Sequence, residues 1–157
     1  MVGGSCPNVA CLPSKNIIHS AKVASLAARA VEFGLDTGPI ATNMAGVQRR
    51  KRNMVEDLVK VHLGRYEDSG VELIMGEGRF IAPKTVAVRL KDGGERVLAG
   101  DRVVLSLGTR ASFPDAPGLS EAGPMSHIEA LDLGHAPKHL IVLGGGYVGL
   151  ELAQAMR

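Results

Sequence analysis

Apolar residues at Ile17, Ala21, Ala24, Ala28 and Val31 recur at three- and four-residue steps, the period of one buried stripe on an α-helix. The spacing predicts a helix from about Ser14 to Phe33, with Pro13 suited to its first turn and Gly34 to its stop. Met44, Val47, Met54, Leu58 and Val61 set a second helical period that ends near Tyr66. Strand-like segments follow at Val71–Met75, Arg79–Ile81, Thr85–Leu90 and Arg96–Leu98, and the turn Asp92-Gly93-Gly94 makes the last two a hairpin. Asp101–Leu105 reads as a short buried strand, and Gly108–Gly123 as a Gly/Pro-rich connection suited to a domain boundary. Beyond it, His139–Leu143 reads as an apolar strand running into Gly144-Gly145-Gly146, with a helix from Tyr147 to Arg157.

Composition narrows the function classes. With 157 residues, 45% hydrophobic and 22% charged, the chain is large enough for a core and too apolar for wholesale disorder. No Trp, two Tyr and three Phe leave little surface on which single-stranded nucleic acid could stack. A net charge of +2 is too small to imply a polyanionic partner, so no nucleic-acid partner is expected. Arg49-Arg50-Lys51-Arg52 spreads around a helix axis and is expected to be a solvated surface. No run of about 18 apolar residues exists, so no membrane span is expected. The first residues lack a basic segment followed by an apolar stretch, and the expected compartment is the cytoplasm.

Two cysteines close together in a reducing compartment read as redox or metal chemistry before they read as a staple. Four residues separate Cys6 from Cys11, and a disulfide across so small a ring stabilises a fold by only ~2 kcal/mol in the chain-entropy model. Such a bond suits a switch. Cys11 lies near the start of the first long helix, where the dipole favours a thiolate, and Lys15 is four residues further along the same face. Cys6, on the flanking turn, is the better exchanging thiol. Two unlinked buried thiols, or half a metal site, are the other readings. None of the five histidines falls at zinc-ligand spacing, so no metal is assigned.

Gly144-Gly145-Gly146-Tyr147-Val148-Gly149 fits G-x-G-x-x-G between a strand and a helix, the context of dinucleotide binding. Gly144 permits the tight turn, Gly146 lets the backbone approach a pyrophosphate, and Gly149 lets the helix pack on the strand.

The thirteen residues Gly3-Gly4-Ser5-Cys6-Pro7-Asn8-Val9-Ala10-Cys11-Leu12-Pro13-Ser14-Lys15 closely resemble the active-site segment of class I pyridine nucleotide–disulfide oxidoreductases, G-G-T-C-x-N-x-G-C-x-P-S-K. That family includes dihydrolipoamide dehydrogenase, glutathione reductase and mercuric reductase. Ser5 stands for Thr and Ala10 for Gly, and a family glycine at that place can demand a conformation that alanine resists. The resemblance implies that Cys6 is the interchange thiol, that Cys11 is the thiolate in charge-transfer contact with the flavin, and that Lys15 lies beside the flavin ring. Gly4 and Ser5 would also approach the FAD. Gly149-Leu150-Glu151 resembles the same family's nucleotide domain, which implies an ion pair between Glu151 and Lys15 bridging two domains. An exposed first-turn carboxylate is the alternative for Glu151.

By the same resemblance, Tyr147 would cover the nicotinamide pocket and Gly78 would touch the adenine side of FAD, an ordinary strand bulge being the alternative. Gly108 would keep a close backbone approach to the flavin although Leu107 replaces the family's Thr. Gly149 leans towards NAD, with NADP open. The fold implied is α/β: a partial FAD-binding domain over 1–118 with two long helices and a small antiparallel β-meander, a linker over 119–138, and the first βα of a Rossmann-type NAD(P)-binding domain over 139–157. The function implied is electron flow from NAD(P)H through FAD to the Cys6–Cys11 disulfide and on to a small-molecule or protein disulfide, in a homodimeric parent enzyme. The chain covers only part of the family's pattern, so little turnover is expected of it alone. A flavin-free thiol–disulfide or nucleotide-binding module, or an inactive truncated product, is the competing reading.

Overall fold

The computed structural model describes residues 1–157, which divide into two compact units: Met1–His62 with Arg110–Arg157, and Leu63–Thr109. The elements are α1 (Ser5–Val9), α2 (Cys11–Ala28), a 3₁₀ turn (Ala30–Phe33), α3 (Met44–Ser69), β1 (Gly76–Ala82), β2 (Thr85–Leu90), β3 (Glu95–Ala99), α4 (His127–Leu131) and α5 (Tyr147–Met156).

In the first unit the long helix begins earlier than the periodicity predicts, at Cys11, and Cys6 lies on the short helix α1, not on a flanking turn. Pro7 and Pro13 each occupy the third position of their helix, where the backbone N–H has no intrahelical partner to lose. The α-helix ends at Ala28, five residues before the expected stop, and Gly34 closes the following 3₁₀ turn in the left-handed conformation at φ 74°. The buried stripe of α2 is shorter than its apolar period: Ile17 is buried, Ala21 and Ala24 are half-buried, and Val31 is exposed because α2 has already given way to the 3₁₀ turn.

The core of this unit is small. Ile17 of α2, Leu131 of α4 and Leu152 of α5 are buried against one another, with Val47 and Ala130 packed alongside. Helix α4 is an element that hydrophobic period did not predict, since it falls in the expected linker. Its signal was chemical, Ser126-x-x-Glu129. Ile128 N–H donates to Ser126 Oγ (3.2 Å), and Ser126 N–H donates to Glu129 Oε2 (2.8 Å), a reciprocal capping box. The Ser126 hydroxyl, and after it the local backbone N–H groups, hold the Glu129 carboxyl below the usual glutamate value. A depressed carboxylate contributes stability above its unfolded pKa and loses it as pH falls through the folded one. The protection factor of the Ala130 amide, which donates to Ser126 O, is therefore expected to drop severalfold as the solution is acidified below the usual glutamate range. Glu129→Gln should flatten that dependence, and an unchanged pH profile in the variant would contradict the box.

Basic residues 49–52 do not form a wholly solvated surface as expected. Arg49 and Arg52 are exposed, but Lys51 is only 6% exposed and bonds to Leu131 O (2.9 Å) and Asp132. Arg50 donates to Asn16 O (2.9 Å) and Ser20 Oγ (2.8 Å). Four consecutive residues cover the whole helix circumference, so one of them must face inward.

The second unit holds a three-stranded antiparallel sheet in the order β1-β2-β3. Ala87 and Val88 are its buried residues. The turn at Asp92-Gly93-Gly94 forms as expected, with Gly93 and Gly94 at φ 99° and 84° and Leu90 N–H donating to Gly94 O. Val71–Met75 is not a strand: its only bond to another segment's backbone is from Lys91 N–H to Met75 O, before β1 begins at Gly76. Asp101–Leu105 is likewise unpaired, with Val104 and Leu105 exposed. In the first unit His139–Leu143 is also not a strand, and Ile141 and Leu143 are exposed. β-propensity describes a side chain's fit to a sheet, and without a neighbouring backbone to supply N–H and C=O groups no ladder forms.

Candidate active site

Two short turns and one helix start bring the sulfur chemistry together. Gly3 and Gly4 take φ values of 85° and 75°, the left-handed region that glycine enters without a Cβ penalty. At Gly3 the need is also spatial, because a Cβ would lie 2.8 Å from His62 Cδ2. The Asn8 side chain ties this turn down, its Nδ2 donating to Val2 O (2.8 Å) and Gly4 O (2.7 Å). Sequence reasoning assigned Asn8 no role, although its fixed place between the two cysteines was the available signal. Ala10 sits at φ −128° and ψ −104°, so its replacement of glycine asks for no left-handed conformation.

Cys6 and Cys11 are both exposed free thiols, on the adjoining helices α1 and α2. The neighbouring Cys11 side chain is the chief cause holding the Cys6 thiol above the usual cysteine value; slight desolvation and the Cys11 charge add to it, and the Leu12 backbone opposes it. Cys11 opens the 18-residue α2, so its sulfur stands at the positive end of a helix dipole. One turn along, Lys15 Nζ donates to both carboxylate oxygens of Glu151, at 2.6 and 2.5 Å. Helices α1 and α5, which carry Cys6 and Glu151, both pack on α2, which carries Cys11 and Lys15. With Lys15 and Glu151 exposed at 56% and 37%, the pair contributes about 0–1 kcal/mol to stability. Its importance lies in where it puts charge.

At the other end of α5, Gly144 takes φ 105° and Gly146 is the N-cap. A Cβ on Gly149 would lie 3.0 Å from Val142 Cγ1 and 3.3 Å from Gly144 O, so the helix rests directly on the incoming segment. Nothing lies within 4 Å of where a Cβ would stand on Gly144, Gly145 or Gly146. That leaves the unpaired N–H groups of a ten-residue helix open to an anionic group such as a pyrophosphate. Tyr147 opens α5 with its ring exposed. These residues fit the phosphate end of a dinucleotide.

Ser5 is exposed and opens α1, beside Gly4. The open side of Gly4, where no heavy atom would meet a Cβ, and the exposed Lys15 ammonium fit a flavin approaching the thiol pair. In the second unit, Gly78 is paired opposite Val88 within β1, and the irregularity of that strand falls between Phe80 and Ala82, not at Gly78. Gly108 takes φ 70° with open space at its Cβ position.

A family described as pyridine nucleotide-disulphide oxidoreductase matches residues 1–157. The chain is 34% identical over 97% of its length to a dihydrolipoamide dehydrogenase of Chaetomium thermophilum, of which it covers 30%. It is 32% identical over 98% of its length to a mercuric reductase of Bacillus cereus, covering 24% of that protein. A solved structure of the HOCl-induced flavoprotein disulfide reductase RclA of Escherichia coli, a Cu(II) complex of a cysteine-to-serine mutant, superposes with a TM-score of 0.80 at 25% identity, over 99% of this chain and 32% of that one. The chain therefore spans about a quarter to a third of the length of these relatives. Relatives of this kind are oxidoreductases, and the family works with FAD and a pyridine nucleotide. No helix here is long and apolar enough to cross a membrane. The paired thiols, the glycine turn and the match over every residue agree, and the chain belongs to the pyridine nucleotide–disulphide oxidoreductase family.

Proposed function

We propose that this chain carries the thiol–disulfide centre of a flavoprotein oxidoreductase that transfers two electrons to a disulfide-type substrate, small-molecule or protein. The observation that carries this reading is the pair of exposed free thiols, Cys6 on α1 and Cys11 at the start of α2, one turn from a lysine paired to a carboxylate. When bound, FAD supplies the two-electron carrier between pyridine nucleotide and disulfide. Gly4, Ser5 and Lys15 are the first unit's candidates to hold it. Gly144, Gly146, Tyr147 and Gly149 would hold the pyridine nucleotide, NAD being favoured by Gly149. Glu151 neutralises Lys15, so that the ammonium keeps one position beside the sulfurs. Residues 1–118 would form the flavin portion and 139–157 the opening of the nucleotide portion, joined by 119–138.

The chain's own chemistry is thiol–disulfide exchange. Cys6, as thiolate, attacks one sulfur of the substrate disulfide, and the other substrate sulfur leaves with the electron pair and takes a proton. Cys11 then attacks Cys6 Sγ, which closes the Cys6–Cys11 bond and expels the second substrate sulfur as a thiol. Two electrons leave the protein dithiol and two protons follow. The helix dipole at Cys11 and the Lys15 charge favour Cys11 as the thiolate of the second step.

The direct test is oxidation of the full chain with a small aromatic disulfide, read by intact mass and thiol titration. Both thiols should disappear together with the loss of two hydrogens and no retained adduct. A stable adduct on each cysteine, with no internal bond, would reject the proposal.

A further inference from the structure

We propose that Lys51 and Gln48 of α3 are positioning residues that set the register of the Lys15–Glu151 pair without touching it. Their donors converge on three consecutive residues. Gln48 Nε2 donates to Leu131 O and Leu133 O, both at 2.9 Å, while Lys51 Nζ donates to Leu131 O at 2.9 Å and pairs with Asp132. Both side chains are buried, Gln48 at 4% exposure, and Gln48 Oε1 has no partner at all. An arrangement that buries an ammonium and leaves an amide oxygen unsatisfied is poorly explained by stability alone, since apolar side chains of similar volume commonly do as well. It does hold one short segment in one place.

That segment carries Leu131, which shares one buried cluster with Ile17 and Leu152. Ile17 is two residues from Lys15 on α2, and Leu152 is the neighbour of Glu151 on α5. Leu131 is therefore α4's wedge into the core that both helices share, and through that core it helps to fix their register. A slip of one residue along α5 moves a side chain by about 1.5 Å and turns it by about 100°. Glu151 would then leave Lys15. Freeing the ammonium would favour thiolate over disulfide, a consequence that rests on the function proposed above.

Two readouts on the full chain test this. The first is the Lys15 ammonium resonance in a 1H–15N spectrum, assigned by its loss in Lys15→Arg and seen when the ammonium is held in a hydrogen bond. It should persist in Lys51→Arg and vanish in Lys51→Met. The second is the dithiol–disulfide equilibrium of Cys6 and Cys11 in a glutathione buffer. Glu151→Gln and Lys51→Met should each shift it about threefold towards the dithiol, about 14 mV for a two-electron couple, and the double variant should shift it no further. A Lys51→Met chain that keeps the resonance and the wild-type equilibrium overturns the inference. Should Cys6 and Cys11 form no disulfide, the proposed function fails while the ammonium resonance still decides the register question. Should Lys51→Met not fold, Gln48→Leu carries the same two readouts, with loss of the resonance expected and its persistence overturning the inference.

Discussion

Replacing Cys11 by alanine is expected to turn a transient exchange into a trapped one. In the variant, an aromatic disulfide should leave a mixed disulfide on Cys6 that persists, because no neighbouring sulfur is present to resolve it. The converse variant, Cys6→Ala, should release the adduct from Cys11 only on addition of an external thiol, and should acquire it more slowly because the exchanging sulfur is gone. Intact mass over time separates the outcomes, and either substitution should abolish internal disulfide formation completely. A second effect has the opposite sign. The Cys11 sulfur holds Cys6 above the usual thiol value, so its removal should speed the alkylation of Cys6 severalfold near neutral pH. Equal trapping on both cysteines would show that neither is the dedicated exchanging thiol.

The largest stability effect is expected at Leu131. Its side chain is 2% exposed and meets Ile17 and Leu152 in a core of few buried residues. Leu131→Ala removes the most buried of the three, and such truncations cost about 2–5 kcal/mol according to how far the site collapses. A unit with so little buried apolar surface has a narrow margin, so the variant is expected to be largely unfolded at room temperature. Urea denaturation followed by circular dichroism measures it, with a destabilisation under about 1 kcal/mol counting against the wedge. Leu131→Met, which keeps most of the volume, should recover most of the loss.

Much of the site is legible in residue order. Gly3, Gly4 and Gly34 punctuate the chain where left-handed backbone is needed, and the five-residue step from Cys6 to Cys11 sets two exposed thiols on adjoining helices, the second at a helix start. Local rules suffice there because the atoms concerned are within a few residues of one another. The antiparallel meander was legible for the same reason: its turns are short and each strand pairs with the next. The failures are equally instructive. Val71–Met75, Asp101–Leu105 and His139–Leu143 have the side chains of strands but no partner backbone, and pairing is a property of two segments. Arg49 to Arg52 read as solvated because charge alone gives no direction, and only the helix phase chose Lys51 to face inward.

Residue order by itself determined the chemistry: which atoms are nucleophilic, which turn admits a phosphate, and which carboxylate and ammonium are available. Tertiary packing alone decided their meetings. Lys15 and Glu151 are 136 residues apart, Lys51 and Asp132 are 81 apart, and no local rule relates them. Such contacts form when helices dock through a shared apolar wedge, whose register depends on volume and shape at Ile17, Leu131 and Leu152. Spacing within one helix is set by covalent geometry, whereas spacing between helices is set by which side chains fill the gap.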